Sequence, residues 1–107
     1  MFTEPSVEGF RELLPGVELR TVAHGDRSLM GLFRIGSGAV IPVHDHPQEQ
    51  TGYLVSGRLE FIVDGRTVVA EPGAAWNLPA GTPHGARALE DCLVVEVFAP
   101  VREDYLP

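Results

Sequence analysis

Lysine is absent from this 107-residue chain, and cysteine occurs once. Without lysine there is no Schiff-base chemistry, no anchor for pyridoxal phosphate and no P-loop; every positive side chain is one of eight arginines. The lone Cys92 excludes an intrachain disulfide framework, a four-cysteine zinc site and an iron–sulfur cluster; it reads as a small buried packing residue. Positive charge is scarce: eight Arg stand against 15 Asp plus Glu, a formal net charge of −7. Nucleic-acid binding needs a basic face to displace counterions, so the balance argues against it, and the same repulsion applies to anionic membrane surfaces. No apolar run approaches the length of a spanning helix. Met1-Phe2-Thr3-Glu4-Pro5 lacks the basic and apolar regions of a secretion signal, and the expectation is a cytoplasmic protein. Any anion that binds must be drawn in by a local cation against the overall charge.

Glycine and proline, by contrast, are plentiful, at 12 and 9 residues, and are spread along the chain rather than gathered into a linker. They cut it into short runs rich in Val, Ile, Leu, Phe and Tyr, the signature of a β-sandwich or barrel. Strands are expected at Val17–His24, Leu29–Ile35, Thr51–Ser56, Arg58–Val63, Thr67–Ala70, Ala75–Leu78 and Cys92–Phe98. Asp64-Gly65 between two of them tolerates positive φ at both turn positions, as a type I′ hairpin requires. Val7–Leu14 reads equally as a short helix, stopped by Pro15-Gly16, or as a strand arm. The length supports one all-β domain over residues 1–107, burying about two-thirds of its unfolded surface.

Of four histidines, two form His44-Asp45-His46. On a strand, residues two apart project from one face, roughly 7 Å apart, so both imidazoles can lean on one ion while Asp45 points away. Gln50 offers an amide oxygen three residues beyond His46, and His84 follows the rigid turn Pro79-Ala80-Gly81-Thr82-Pro83. Imidazoles with an oxygen donor suit one divalent transition metal: Fe, Mn, Ni, Co, Cu or Zn. The alternative is that these are surface or packing histidines. Glu49 would face away from Gln50 on a strand, and His24, beside Gly25-Asp26, reads as an exposed loop residue.

The residues framing these histidines carry a resemblance. Gly38, His44, His46, Gln50 and Gly57, then Gly73, Pro79, Gly81, His84 and Ala88, fall at the offsets of Gly-x5-His-x-His-x3-Glu-x6-Gly and Gly-x5-Pro-x-Gly-x2-His-x3-Asn. These are the two motifs of the cupin superfamily, and residues 36–88 resemble them. Gln50 stands where that family carries glutamate, and Ala88 where it carries asparagine. The resemblance implies a double-stranded β-helix (a jelly-roll barrel) that holds one divalent metal through His44, His46, Gln50 and His84. It also implies a homodimer, with residues 1–16 as an N-terminal arm that can be exchanged between subunits.

Toward the C-terminus, Glu96 interrupts an apolar β-run and shares its face with Phe98, and Arg102 follows Pro100, where the chain can turn back over the barrel mouth. One reading is a Glu96–Arg102 ion pair sealing the barrel, with Phe98 as core. The other gathers all three around the metal: Glu96 moves protons, Arg102 grips a carboxylate and Phe98 stacks on a ring or excludes water. Tyr53 and Trp76 shape the pocket or pack the core.

Here the chain is similar to the small cupins of the KdgF type. His44-Asp45-His46-Pro47-Gln48-Glu49-Gln50, the turn from Pro79 to Gly85, Ala88 to Asp91, and Glu96 to Leu106 match that group, with Glu96 where an aspartate is expected. The resemblance implies Glu96, Phe98 and Arg102 as catalytic positions. It further implies conversion of a small anionic sugar acid, a 4,5-unsaturated uronate, into a linear ketouronate. The alternatives are a metal-dependent dioxygenase of a diketone or polyphenol, and a non-catalytic module that binds a small ligand or metal.

Overall fold

The computed structural model describes residues 2–107. Ten strands carry the chain: β1 (Arg11–Leu14), β2 (Val17–His24), β3 (Leu29–Ile35), β4 (Val40–His44), β5 (Glu49–Ser56), β6 (Leu59–Val63), β7 (Arg66–Ala70), β8 (Ala75–Leu78), β9 (His84–Ala88) and β10 (Cys92–Ala99). One 3-10 turn spans Glu103–Tyr105. All seven expected strands are present, within two residues at each end. At Val7–Leu14 the strand reading holds and the helix does not: Arg11–Leu14 pairs antiparallel with β2 of its own chain. Met1, the first residue of the expected arm, lies outside the described residues.

The strands form two sheets, ordered β1-β2-β3-β10-β5-β8 and β4-β9-β6-β7. They face each other as the layers of the expected jelly roll, without hydrogen bonding that closes into a continuous barrel among the described residues. Alternation drives the layering. β3 and β10 bury every second residue, so Leu29, Phe33, Ile35, Val94 and Phe98 point between the sheets and meet Leu59 and Phe61 of β6. Phe98 is 1% exposed; burying a phenylalanine to this degree stabilises by about 1.5–3 kcal/mol. Asp64 and Gly65 adopt φ of 52° and 79°, both in the left-handed region, as the type I′ reading of the β6–β7 hairpin requires.

Three strands escape the sequence pattern. β4 contains Pro42, which normally argues against a strand, but β4 is the edge of its sheet, where a missing N–H costs no ladder bond. β9 reads His-Gly-Ala-Arg-Ala and has little β-propensity; small residues are needed there, because a Cβ on Gly85 would press on the Ile41 carbonyl and the Val43 backbone. β1 is short and half-exposed.

After β10 the chain folds back across the end of the sandwich. Phe33, Phe98 and Tyr105 pack as three rings with centroids 5.3–6.3 Å apart. Arg11 donates to the Asp104 carbonyl at 2.7 Å, and the Thr21 hydroxyl donates to that of Tyr105. This segment roofs the end where the histidines meet.

Candidate metal centre

Both sheets contribute to one end of the sandwich. His44 ends β4 and pairs in register with His84, which opens β9. Gln50, on β5, is flanked by Phe98 of β10 and Leu78 of β8. His46 lies on the loop between β4 and β5, so it reaches the group by a turn and not by the strand alternation expected of His44-Asp45-His46. That loop is tied down where it matters: the Gly81 N–H donates to the His46 carbonyl at 2.9 Å, fastening it to the turn that leads to His84. Glu49 faces away, as expected, and accepts from the Asn77 amide.

The three imidazole rings have centroids 4.5, 5.0 and 5.6 Å apart, and one nitrogen of each lies within 4.8 Å of the others. Their outer nitrogens are all engaged. Nδ1 of His44, His46 and His84 sits 2.9, 3.0 and 2.8 Å from the carbonyls of Pro42, Gln48 and Thr82. A carbonyl only accepts, so each Nδ1 carries the proton and each Nε2 is left to the centre. Burial is the first cause holding the pKa values of His46 and His84 below the usual imidazole range, and it keeps these rings neutral at pH 7.

A divalent cation fits this arrangement on two observations. His84 Nε2 is buried and has no hydrogen-bond partner among the described residues. His46 Nε2 faces Gln50 Oε1 at 2.9 Å, and with the proton on Nδ1 both are acceptors. Two acceptors at that distance oppose one another unless a cation draws on both, and neighbouring ligands about 2.1 Å from a metal stand about 3 Å apart. Imidazole nitrogen with an amide oxygen is a transition-metal donor set.

Beyond the donors, Glu96 is 6% exposed. Its carboxylate accepts the Trp76 indole N–H at 3.3 Å to each oxygen and lies beside the Gln50 amide. Burial drives its pKa up to about 7, against the smaller opposing pull of Gln50 and Trp76. The buried polar residues among the described residues are His46, Gln50, His84 and Glu96, and all four meet here. Desolvated polar groups are costly, and their concentration in one place makes this the candidate site of chemistry.

Arg102 does not pair with Glu96, so of the two readings the sealing ion pair is the one the structure corrects. Its Nε lies 3.2 Å from Asp104, and its guanidinium stacks on Tyr105 at 4.1 Å and above Phe98 at 5.6 Å. Glu96 faces inward across Gly52, while Arg102 lies with the roof segment. Both nonetheless line one cavity with His44, Gln50, His84 and Phe98. An outer vestibule shares His44, Arg102 and Tyr105 with it and is walled by Leu13, Leu14 and Pro42.

Tyr53 neither shapes this cavity nor packs the core: it is 48% exposed on the outer face of β5. His24 is exposed, at the end of β2 rather than in a loop. Cys92 is buried, as expected, and burial raises its thiol pKa. The residue that sequence reasoning left undecided is Trp76, which also packs edge-on against Phe61 at 4.5 Å; Gly52, a glycine inside a strand, was the available signal.

KdgF from Halomonas sp. has the same fold with a TM-score of 0.93, at 34% identity over 99% of this chain and 100% of that one. An RmlC-like cupin from Shewanella frigidimarina also gives 0.93 over 98% and 95%, but at 24% identity it speaks for the fold alone. Quercetin 2,3-dioxygenase of Bacillus subtilis is 40% identical over 88 residues, 77% of this chain and 26% of that protein. The H2HPP isomerase of Bacillus subtilis is 31% identical over 94 residues, 86% of this chain and 40% of that protein. The chain therefore spans about a quarter and two-fifths of these two curated relatives. The cupin domain model matches residues 31–98, more than half of the chain, and the chain belongs to the cupin family.

Proposed function

We propose that this cupin is a metal-dependent enzyme that converts a small anionic sugar acid, linearising a 4,5-unsaturated uronate to a ketouronate. One observation carries the reading: the buried polar side chains gather at one end of the sandwich, with a guanidinium lining the same cavity. The full-length likeness to KdgF supports it. His44, His46, His84 and Gln50 would hold the cation, which supplies a Lewis acid for a substrate oxygen. Arg102 binds the substrate carboxylate by its planar fork and provides the local positive charge that a −7 chain otherwise lacks. Phe98 excludes water from one wall.

Linearisation is an isomerisation. The anomeric hydroxyl gives up a proton, the bond from C1 to the ring oxygen breaks, and C4 gains a proton as C5 becomes a ketone. Glu96, with a pKa of about 7, can accept one proton and deliver another at neutral pH. The test is the ultraviolet absorbance of the unsaturated uronate: metal-loaded protein removes it faster than the spontaneous rate, and Arg102→Ala raises KM about 10- to 100-fold by loss of a charge-assisted contact. No acceleration with any of several metals would retire the substrate.

A second reading, a dioxygenase of a diketone or polyphenol, is favoured by the 40% identity to quercetin 2,3-dioxygenase. Oxygen consumption by iron- or copper-loaded protein separates it from the first, and ligand affinity without turnover would leave a binding module. We also propose a cytoplasmic homodimer. The outer face of β3, β10 and β5 supports pairing: Leu32, Val95 and Tyr53 lie in register across it, and Met30, Val97 and Thr51 form the next row, with no acid among them. Phe2 and Val7, both more than 80% exposed, support an N-terminal segment that crosses to a partner.

A further inference from the structure

We propose that Trp76 is a positioning residue for the metal centre, reaching Glu96 across the bare backbone of Gly52 so that Glu96 holds the Gln50 carboxamide with its oxygen toward the imidazoles. This rests on the metal-binding reading above.

β8 and β10 are not neighbours; β5 runs between them, and Gly52 pairs with Glu96 on one side and Trp76 on the other. Two strand spacings separate their backbones by about 10 Å, and any side chain at position 52 would stand in the gap. A Cβ there would overlap both Trp76 Nε1 and Glu96 Oε2. A glycine inside a strand packs nothing and weakens it, and close approach of other groups is a physical reason for one.

The indole N–H can only donate, and it is centred on the two carboxylate oxygens, 3.3 Å from each. This holds Glu96 in line with Gln50, two residues along β5 on the same face. The carboxamide has one nitrogen. Given to Glu96, it leaves Oε1 to face His46 at 2.9 Å. A carboxylate drawing on the amide N–H also shifts electron density to the amide oxygen and makes it a better donor to a cation, as outer hydrogen bonds do for ligating groups generally. Four neutral donors leave a divalent charge uncompensated, and Glu96 is the buried carboxylate beside them.

The test compares wild-type protein with Trp76→Phe, which keeps an aromatic ring and loses the N–H, and with Gly52→Ala, which keeps the indole and pushes the pair apart. Cobalt(II) titration reads affinity, and its visible bands read the ligand field. Each variant is expected to bind cobalt about 10- to 100-fold more weakly, the usual effect of losing an outer-shell partner, with altered bands. Trp76 is the single tryptophan, so its indole N–H gives one nitrogen-15 resonance, which is expected to move upfield in Glu96→Gln. Wild-type protein binding one cobalt per chain, with both variants unchanged in affinity and bands, overturns this proposal alone. Wild-type protein binding no cobalt overturns the metal reading and this proposal with it. Should Trp76→Phe fail to fold, Gly52→Ala carries the same comparison.

Discussion

At the scale of single residues, Glu96 sets an energetic tension that can be measured without knowing the substrate. Its pKa in the fold is about 7 against an ordinary 4.5, because burial penalises the anion. A group whose pKa is raised on folding contributes stability that is full below its unfolded value and lost as pH rises through its folded value. Metal-free protein is therefore expected to lose stability between about pH 4.5 and pH 7, by at most about 3 kcal/mol at 1.36 kcal/mol per unit. Glu96→Gln cannot ionise, so its stability should no longer fall across that window and should instead rise toward pH 6.5, because burial lowers the pKa values of His46 and His84, while turnover of the uronate falls. A variant that loses stability equally would show that another group carries the effect. His44, His46, His84, Gln50, Glu96 and Arg102 were all named as candidates from spacing, alternation and the cupin resemblance. The Trp76 bridge and the Arg102–Asp104 pairing were not, since each depends on which strand ends up beside which.

Elements show where local chemistry suffices and where it does not. The β6–β7 hairpin follows from Asp64-Gly65 alone, because both residues must take positive φ and these two do so cheaply. Gly65→Ala is expected to cost about 1–2 kcal/mol, the penalty of placing a Cβ in the left-handed region, read as a shift in denaturation midpoint. No steric relief offsets or adds to it, since a Cβ there meets nothing within 4 Å. β4 and β9 are the opposite case. Pro42 and the Gly85-Ala86 run argue against strands locally, yet the edge position of β4 and the tight approach of β9 to it make these residues suitable. The candidate metal donors His44 and His84 sit on these two strands, so the elements hardest to read hold half of the candidate site.

For the whole molecule, the site is a seam: one sheet brings His44 and His84, the other Gln50 and Glu96, and a loop between them brings His46. A cation bound there crosslinks both layers, so binding should stabilise the fold by mass action, by about 2.7 kcal/mol at a free metal concentration 100 times Kd. For a domain of this size that is a rise in Tm of roughly 10 °C or more, removed by a chelator and absent in His84→Ala. Light scattering should return twice the chain mass if the apolar outer face pairs.

Local composition and spacing determined the all-β architecture, seven of the ten strands and the type I′ hairpin, and with the cupin resemblance they named the four candidate metal donors, because side-chain alternation, turn conformation and ligand chemistry act over a few residues. Folding in three dimensions had to supply the rest: His46 delivered by a loop, a carboxylate and an indole meeting over Gly52, and a guanidinium given to Asp104 instead of Glu96. These are contacts between strands distant along the chain, and packing of the two sheets selects them.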